Sequence, residues 1–101
     1  MAISNTAIAA TNTTIYTSSG NNAITTIIVC NTGITDVNLT LYAVPSGGTA
    51  STTTMIVNAL VVPAGDTVSF DQEKMVLANG DSLIALGSGT GLSATVSTLA
   101  V

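Results

Sequence analysis

Short runs rich in Thr, Val and Ile, cut by glycine-bearing turns, constrain this chain more than any other feature. β-Branched side chains lose rotamer freedom in a helix and pack well on a pleated sheet. The turn segments are SSGNN (18–22), NTGITD (31–36), PSGG (45–48), PAGD (63–66), NGD (79–81) and GSGTG (87–91). Each carries a glycine, which supplies the positive φ that tight turns need. Their starts lie mostly 13 to 18 residues apart and closer together near the C-terminal end. Between them the strand-like runs are 8–16, interrupted at Thr11 and Asn12, then 23–30, 37–44, 55–62, 67–70, 75–77, 82–86 and 92–101. Sustained helical periodicity and internal repeats are absent. The pattern predicts an all-β fold, an antiparallel β-sandwich of about eight strands, jelly-roll or Ig-like.

Alternation says which faces are wet. Val37, Leu39, Leu41 and Ala43 alternate with Asn38, Thr40 and Tyr42, so one face of that strand is core and the other is solvated or at an interface. Val68 and Phe70 alternate with Thr67 and Ser69, and Leu92, Ala94 and Val96 with Ser93, Thr95 and Ser97. Runs 23–30 and 55–62 are instead nearly continuous and apolar, which predicts strands apolar on both faces, sandwiched or covered by a neighbouring subunit. Residues 1–12 read as an N-terminal arm or a first strand, and 13–101 as one sandwich domain. The segment DQEK (71–74) holds three of the six charges and reads as a solvated turn or short bulge.

Composition enters at the surface. Charged residues make up 6% of the chain and hydrophobic ones 47%, against about 25% charged in an ordinary soluble domain. The outside must therefore be clothed in Thr, Ser, Asn, Gly and exposed apolar groups, which hold monomers apart poorly. Much of that surface is expected to be buried against other chains, with Met1, Ile3, Ile8, Ile27, Val29, Tyr42, Ile56 and Leu60 as candidate interface residues. A net charge of −4 with Lys74 as sole cation argues against nucleic acid as a partner. No apolar run is long enough to span a membrane as a helix. The first residues, MAISNTAIAATNTT, lack a basic region and carry only a short apolar run, so synthesis without a signal peptide, in a cytoplasm, is expected.

The chain is poor in chemistry-bearing groups. Without His, neither a Ser-His-Asp nor a Cys-His arrangement exists within one chain. Lys74 follows Glu73 in a charged cluster and reads as a surface group. Asp71 and Glu73 alternate, but a glycosidase also needs an aromatic-lined cleft, and the aromatic residues are only Tyr16, Tyr42 and Phe70. Asp36, Asp66 and Asp81 sit at turns, where carboxylates commonly bond backbone amides. They form no calcium-loop array, and one Cys with no His offers little to zinc. Cys30 reads as a buried small hydrophobe and has no partner for an intrachain disulfide. GSGTG lacks the spacing of a phosphate loop and reads as a hairpin turn. The N-x-T triplets at 12–14 and 38–40 are expected by chance in so Thr-rich a chain. No catalytic, cofactor-binding or metal-binding residues are therefore expected, no cofactor, and no enzymatic activity.

The succession TTIYTSSG, TTIIVCNTG, LYAVPSGG, VVPAGDTV and VLANGDSLIAL, spread over 13–96, resembles a group of small virion proteins of tailed bacteriophages, cyanophages among them. The resemblance implies a β-sandwich built into the particle, as a capsid decoration (cement) protein or a part of the tail or neck, with no catalytic residues. The expectation is a virion structural protein, assembled in the host cytoplasm, that stabilises the head shell by binding between major capsid subunits. It would associate with itself, a trimer being favoured, and with the major capsid protein. Alternatives are a neck, tail, baseplate or fibre-attachment component, and a module that binds host-surface glycans.

Overall fold

A computed structural model describes residues 2–70 and 75–101. Nine strands lie among them: β1 (Ala2–Ile8), β2 (Thr13–Thr17), β3 (Asn22–Asn31), β4 (Val37–Val44), β5 (Met55–Val62), β6 (Thr67–Phe70), β7 (Met75–Leu77), β8 (Ser82–Gly87) and β9 (Leu92–Ala100). They form two antiparallel sheets. Sheet A has the order β1-β9-β3-β6, with β7 also on β3, and sheet B has the order β2-β8-β4-β5.

The connectivity has a simple origin. β4 pairs β5, β3 pairs β6 and β7, β2 pairs β8 and β1 pairs β9, so the first half of the chain runs antiparallel to the second like one long hairpin. Wrapping that hairpin brings β3 beside β9 and β4 beside β8, which completes the sheets. β6 and β7 lie along the same side of β3, at Ile27–Cys30 and Asn22–Ile24, and so count as one interrupted strand. The wrapping is that of a jelly roll, one of the two sandwich forms expected.

The inner faces of both sheets supply the core. Ile8, Ile24, Ile27, Val29, Leu77, Leu92, Ala94 and Val96 come from sheet A, and Ile15, Val37, Leu39, Leu41, Val62, Leu83 and Ala85 from sheet B. Removing a Leu or Ile of this cluster to Ala should cost about 2–5 kcal/mol. Each end of the sandwich is tied by a buried polar side chain. Asn31 donates through Nδ2 to the carbonyls of Thr35 (2.8 Å) and Val62 (2.9 Å), while its Oδ1 accepts from the Gly33 N–H (3.0 Å). Gly91, at φ +113°, lies 3.4 Å from the Gly33 backbone by the position a Cβ would take, so a side chain there would meet both strain and the Asn31 amide. Ser18 donates through Oγ to the carbonyl of Gly20 (2.8 Å) and accepts from Asn22 Nδ2 (3.0 Å).

Several expectations change. The run 8–16 is not one strand: it splits at 9–12, and its halves belong to different sheets. Residues Ala2–Ile8 form the first strand of the fold, in register with β9. β3 buries Ile24, Ile27 and Val29 on its inner face and carries Ile28 and Cys30 on its outer one. A register shift between Ile24 and Thr26 turns both Ile24 and Ile27 inward, which simple alternation forbids, and leaves Ile28 exposed. Cys30, opposite Ser93 and Thr67, is half-buried and not part of the core. The DQEK segment lies outside the described residues.

Candidate interaction surface

β4 is buried along both faces, although only one faces the core. Leu39 and Leu41 point inward, so Thr40, Tyr42 and Val44 point out of sheet B. Tyr42 and Val44 are nevertheless buried, outside the main core cluster. Beside Tyr42 and Thr40 in the sheet stands the outer face of the neighbouring strand. On β8, Leu83 and Ala85 face the core, and Ile84 and Leu86 alternate outward, in register with Tyr42 and Thr40. Val44 is covered by the turn after it: a Cβ on Gly48 would lie 3.4 Å from its Cγ1.

The far side of this layer is the edge strand β5. It carries an extra residue twice relative to β4, once between Val57 and Leu60 and once at Ile56. Ala59, in the first of these bulges, has φ 52°, a left-handed conformation that costs about 1–2 kcal/mol for a residue with a Cβ. The bulge aims the Ala59 N–H at Thr40 Oγ1, 3.2 Å away, which satisfies a hydroxyl on an otherwise apolar face. Val61, opposite the outward Asn38, is 52% exposed, Ile56 46% and Leu60 39%. Thr14 of β2, opposite Ile84, closes the surface on its other side.

The outer face of sheet B thus carries Tyr42 and Val44, buried within the monomer, beside the half-buried Ile84 and Leu86, bordered by the exposed Ile56, Val61 and Thr14. Among the described residues, charge is kept off it. The carboxylates that the structure describes belong to Asp36, Asp66 and Asp81, all in loops. Asp36 Oδ1 accepts from the Ala64 N–H (3.1 Å), and Asp81 from the N–H groups of Ser46 and Ala78 (both 2.9 Å). These carboxylates bond backbone amides, as turn carboxylates do, but two of the three bonds reach across to a different loop and pin loop to loop.

The candidate interface residues separate into three groups. Ile8, Ile27 and Val29 belong to the core, a correction: their side chains are spent inside the domain and cannot face a partner. The cause is that a continuous apolar run does not by itself say which residues point inward. Tyr42 lies buried on the outer face of sheet B, Ile56 and Leu60 lie on its edge strand, Leu60 opposite the core-facing Leu39, and Ile3, 68% exposed, lies on β1 of the other sheet. Met1 lies outside the described residues. The half-buried Ile84 and Leu86 and the exposed Val61 are surface members that sequence reasoning did not single out, whereas Val44 is buried within the monomer. The signal was present in LIAL (83–86), an unbroken apolar run too long for a strand with one wet face.

Among the described residues, no three His, Cys, Asp or Glu side chains gather as metal ligands would, and no buried side-chain nitrogen or oxygen lacks a hydrogen-bond partner. The surface offers contact area and little reactive chemistry. Compared with known proteins, the chain matches no family model, no curated protein and no solved structure.

Proposed function

We propose that this chain is an adhesive structural subunit of a tailed-phage virion, a capsid decoration protein that holds neighbouring major capsid subunits together through the outer face of sheet B. The observation that supports the adhesive role is the apolar area this face still leaves in water, the exposed Ile56 and Val61 with the half-buried Ile84 and Leu86, with every described Asp side chain in a loop. Apolar area removed from water stabilises a contact by about 25 cal/mol per Å². A face without ions adds no desolvation cost of charge to the contact. The virion assignment rests on the motif order from TTIYTSSG to VLANGDSLIAL and its resemblance to small phage structural proteins.

The test is localisation followed by reconstitution. Labelled chain on intact particles should decorate the head in many copies, and purified chain should rebind expanded heads that lack it. Thr14→Asp combined with Val61→Asp places carboxylates at the border of the apolar layer, on exposed positions. Occupancy on the heads should then fall by about 100-fold in apparent affinity, since unpaired charge must be desolvated at the contact. Label confined to the tail axis would replace the head assignment, and unchanged occupancy of the double variant would overturn the role of this face.

A further inference from the structure

Among the described residues, the strand order leaves four edges open: β1 and the β6–β7 line in sheet A, β2 and β5 in sheet B. An open edge presents unpaired N–H and C=O groups to any strand that approaches, and natural sheets blunt it with bulges, short strands or charge. Three of these edges are blunted. β2 shifts register between Thr14 and Tyr16, β5 shifts twice and holds Ala59 in a left-handed conformation, and β6 and β7 are only four and three residues long. β1 is different. Its seven residues pair with β9 in unbroken register, and it contains neither proline nor a charged residue.

We propose that β1 is where two copies of this chain join, edge to edge and antiparallel across a two-fold axis, so that their A sheets become one continuous sheet. The occupant follows from the symmetry. An antiparallel pair of identical strands is self-complementary, and the register centred on Asn5 is the one that pairs every residue of β1. In that register Ile3 lies opposite Ala7 of the second copy, a large side chain against a small one, and Asn5 lies opposite its own counterpart. These three side chains are exposed on the outer face, in register with Ser97, Ser93 and Thr95 of β9. The neighbouring strand β9 carries no charge either, so nothing repels the approach. A ring of three copies would set β1 against a different edge, each bulged or short, so this edge favours a two-fold over the expected trimer. The inference stands independently of the virion reading.

The test is the molar mass of the intact chain in solution at neutral pH, by light scattering or sedimentation over a range of concentrations. A dimer that dissociates on dilution is expected. Asn5→Asp keeps the oxygen that accepts the Thr95 hydroxyl hydrogen bond at 2.8 Å, yet places two carboxylates on the axis. Its self-association should weaken by about 100-fold, and so should that of Asn5→Lys, because like charges meet there. Mixing the two variants should restore a one-to-one dimer. Val61→Asp, on the other sheet, should dimerise as the unsubstituted chain does. A monomeric or trimeric unsubstituted chain would overturn the proposal, as would undiminished dimerisation of Asn5→Asp or a mixture that stays monomeric.

Discussion

The two sheets are built from similar residues but finish their outer faces differently. On sheet A the central outward positions of β9 are Ser93, Thr95 and Ser97, flanked by Ile3, Asn5 and Ala7 on one side and by Thr26, Ile28 and Cys30 on the other, with Leu99 exposed beyond them. Thr95 Oγ1 donates to Asn5 Oδ1, so part of this face is held by cross-strand hydrogen bonds between side chains. On sheet B the equivalent central positions are Thr40, Tyr42, Ile84 and Leu86, and the one hydroxyl among the first two that could be orphaned is met by the Ala59 N–H. The Ser/Thr stripe of β9 bonds water as readily as protein and remains stable when wet, while Ile3, Ile28, Val76 and Leu99 stand exposed around it as separate apolar side chains. An apolar face gains free energy by being covered, so the two faces differ in what they ask of a neighbour.

The largest effect should come from breaking that difference directly. Carboxylates at Thr14 and Val61 should reduce attachment to the shell by about 100-fold, whereas Ser93→Asp and Ser97→Asp on the other sheet should leave attachment unchanged. Equal losses from both pairs would mean that charge, and not this face, governs binding. Next in size is Tyr42→Ala. If the outer layer of sheet B behaves as a second core, urea denaturation should show a loss of about 3 kcal/mol, the value typical of a buried aromatic ring. A loss below about 0.5 kcal/mol would place Tyr42 with ordinary surface residues.

Smaller effects sharpen the contrast between the bulged edge of sheet B and the straight edge of sheet A. Ala59→Gly relieves a left-handed residue and should stabilise the fold by about 1 kcal/mol while leaving the Thr40 hydrogen bond in place. A destabilised variant would show that the Ala59 methyl packs against something that matters more than its backbone strain. Smallest is Thr95→Val, which removes the cross-strand bond to Asn5 on a wet face. A double-mutant cycle with Asn5→Ala should return a coupling of about 0.5 kcal/mol. A coupling of several times that size would mean that the Ser/Thr face is a specific network and not a solvated finish.

Much of this arrangement was legible before any fold was known. The strand runs at 37–44, 55–62, 67–70 and 75–77 match β4 to β7 in their bounds, because turn glycines and prolines mark strand ends chemically. The alternation in 92–97 correctly assigned Leu92, Ala94 and Val96 to the core. Failure came where periodicity itself breaks. A bulge inserts one residue and reverses inside and outside beyond it, and bulges near Ile15, Thr25 and Ala59 leave no mark in a Thr- and Ile-rich run. That is why Ile27 and Val29, read as surface candidates, are core. For β5, read as sandwiched or covered by a neighbouring subunit, the structure shows an edge strand with Ile56, Leu60 and Val61 exposed, so it is not sandwiched within the domain.

By itself the sequence determined the antiparallel sandwich, the poverty of charge and of proton-carrying groups, and the presence of more apolar strand surface than one core can use. These are local properties: rotamer preference, turn chemistry and composition act without knowledge of distant residues. Only the tertiary structure decided which side chains became the second apolar layer, because that depended on β8 lying beside β4, pairing Tyr42 with Ile84 and Thr40 with Leu86 across more than forty residues of chain. It also decided that β1 ends a sheet while β3 lies inside one. Edges and outer faces are properties of strand order, and strand order is set by the wrapping of the whole hairpin, which no single run of residues encodes.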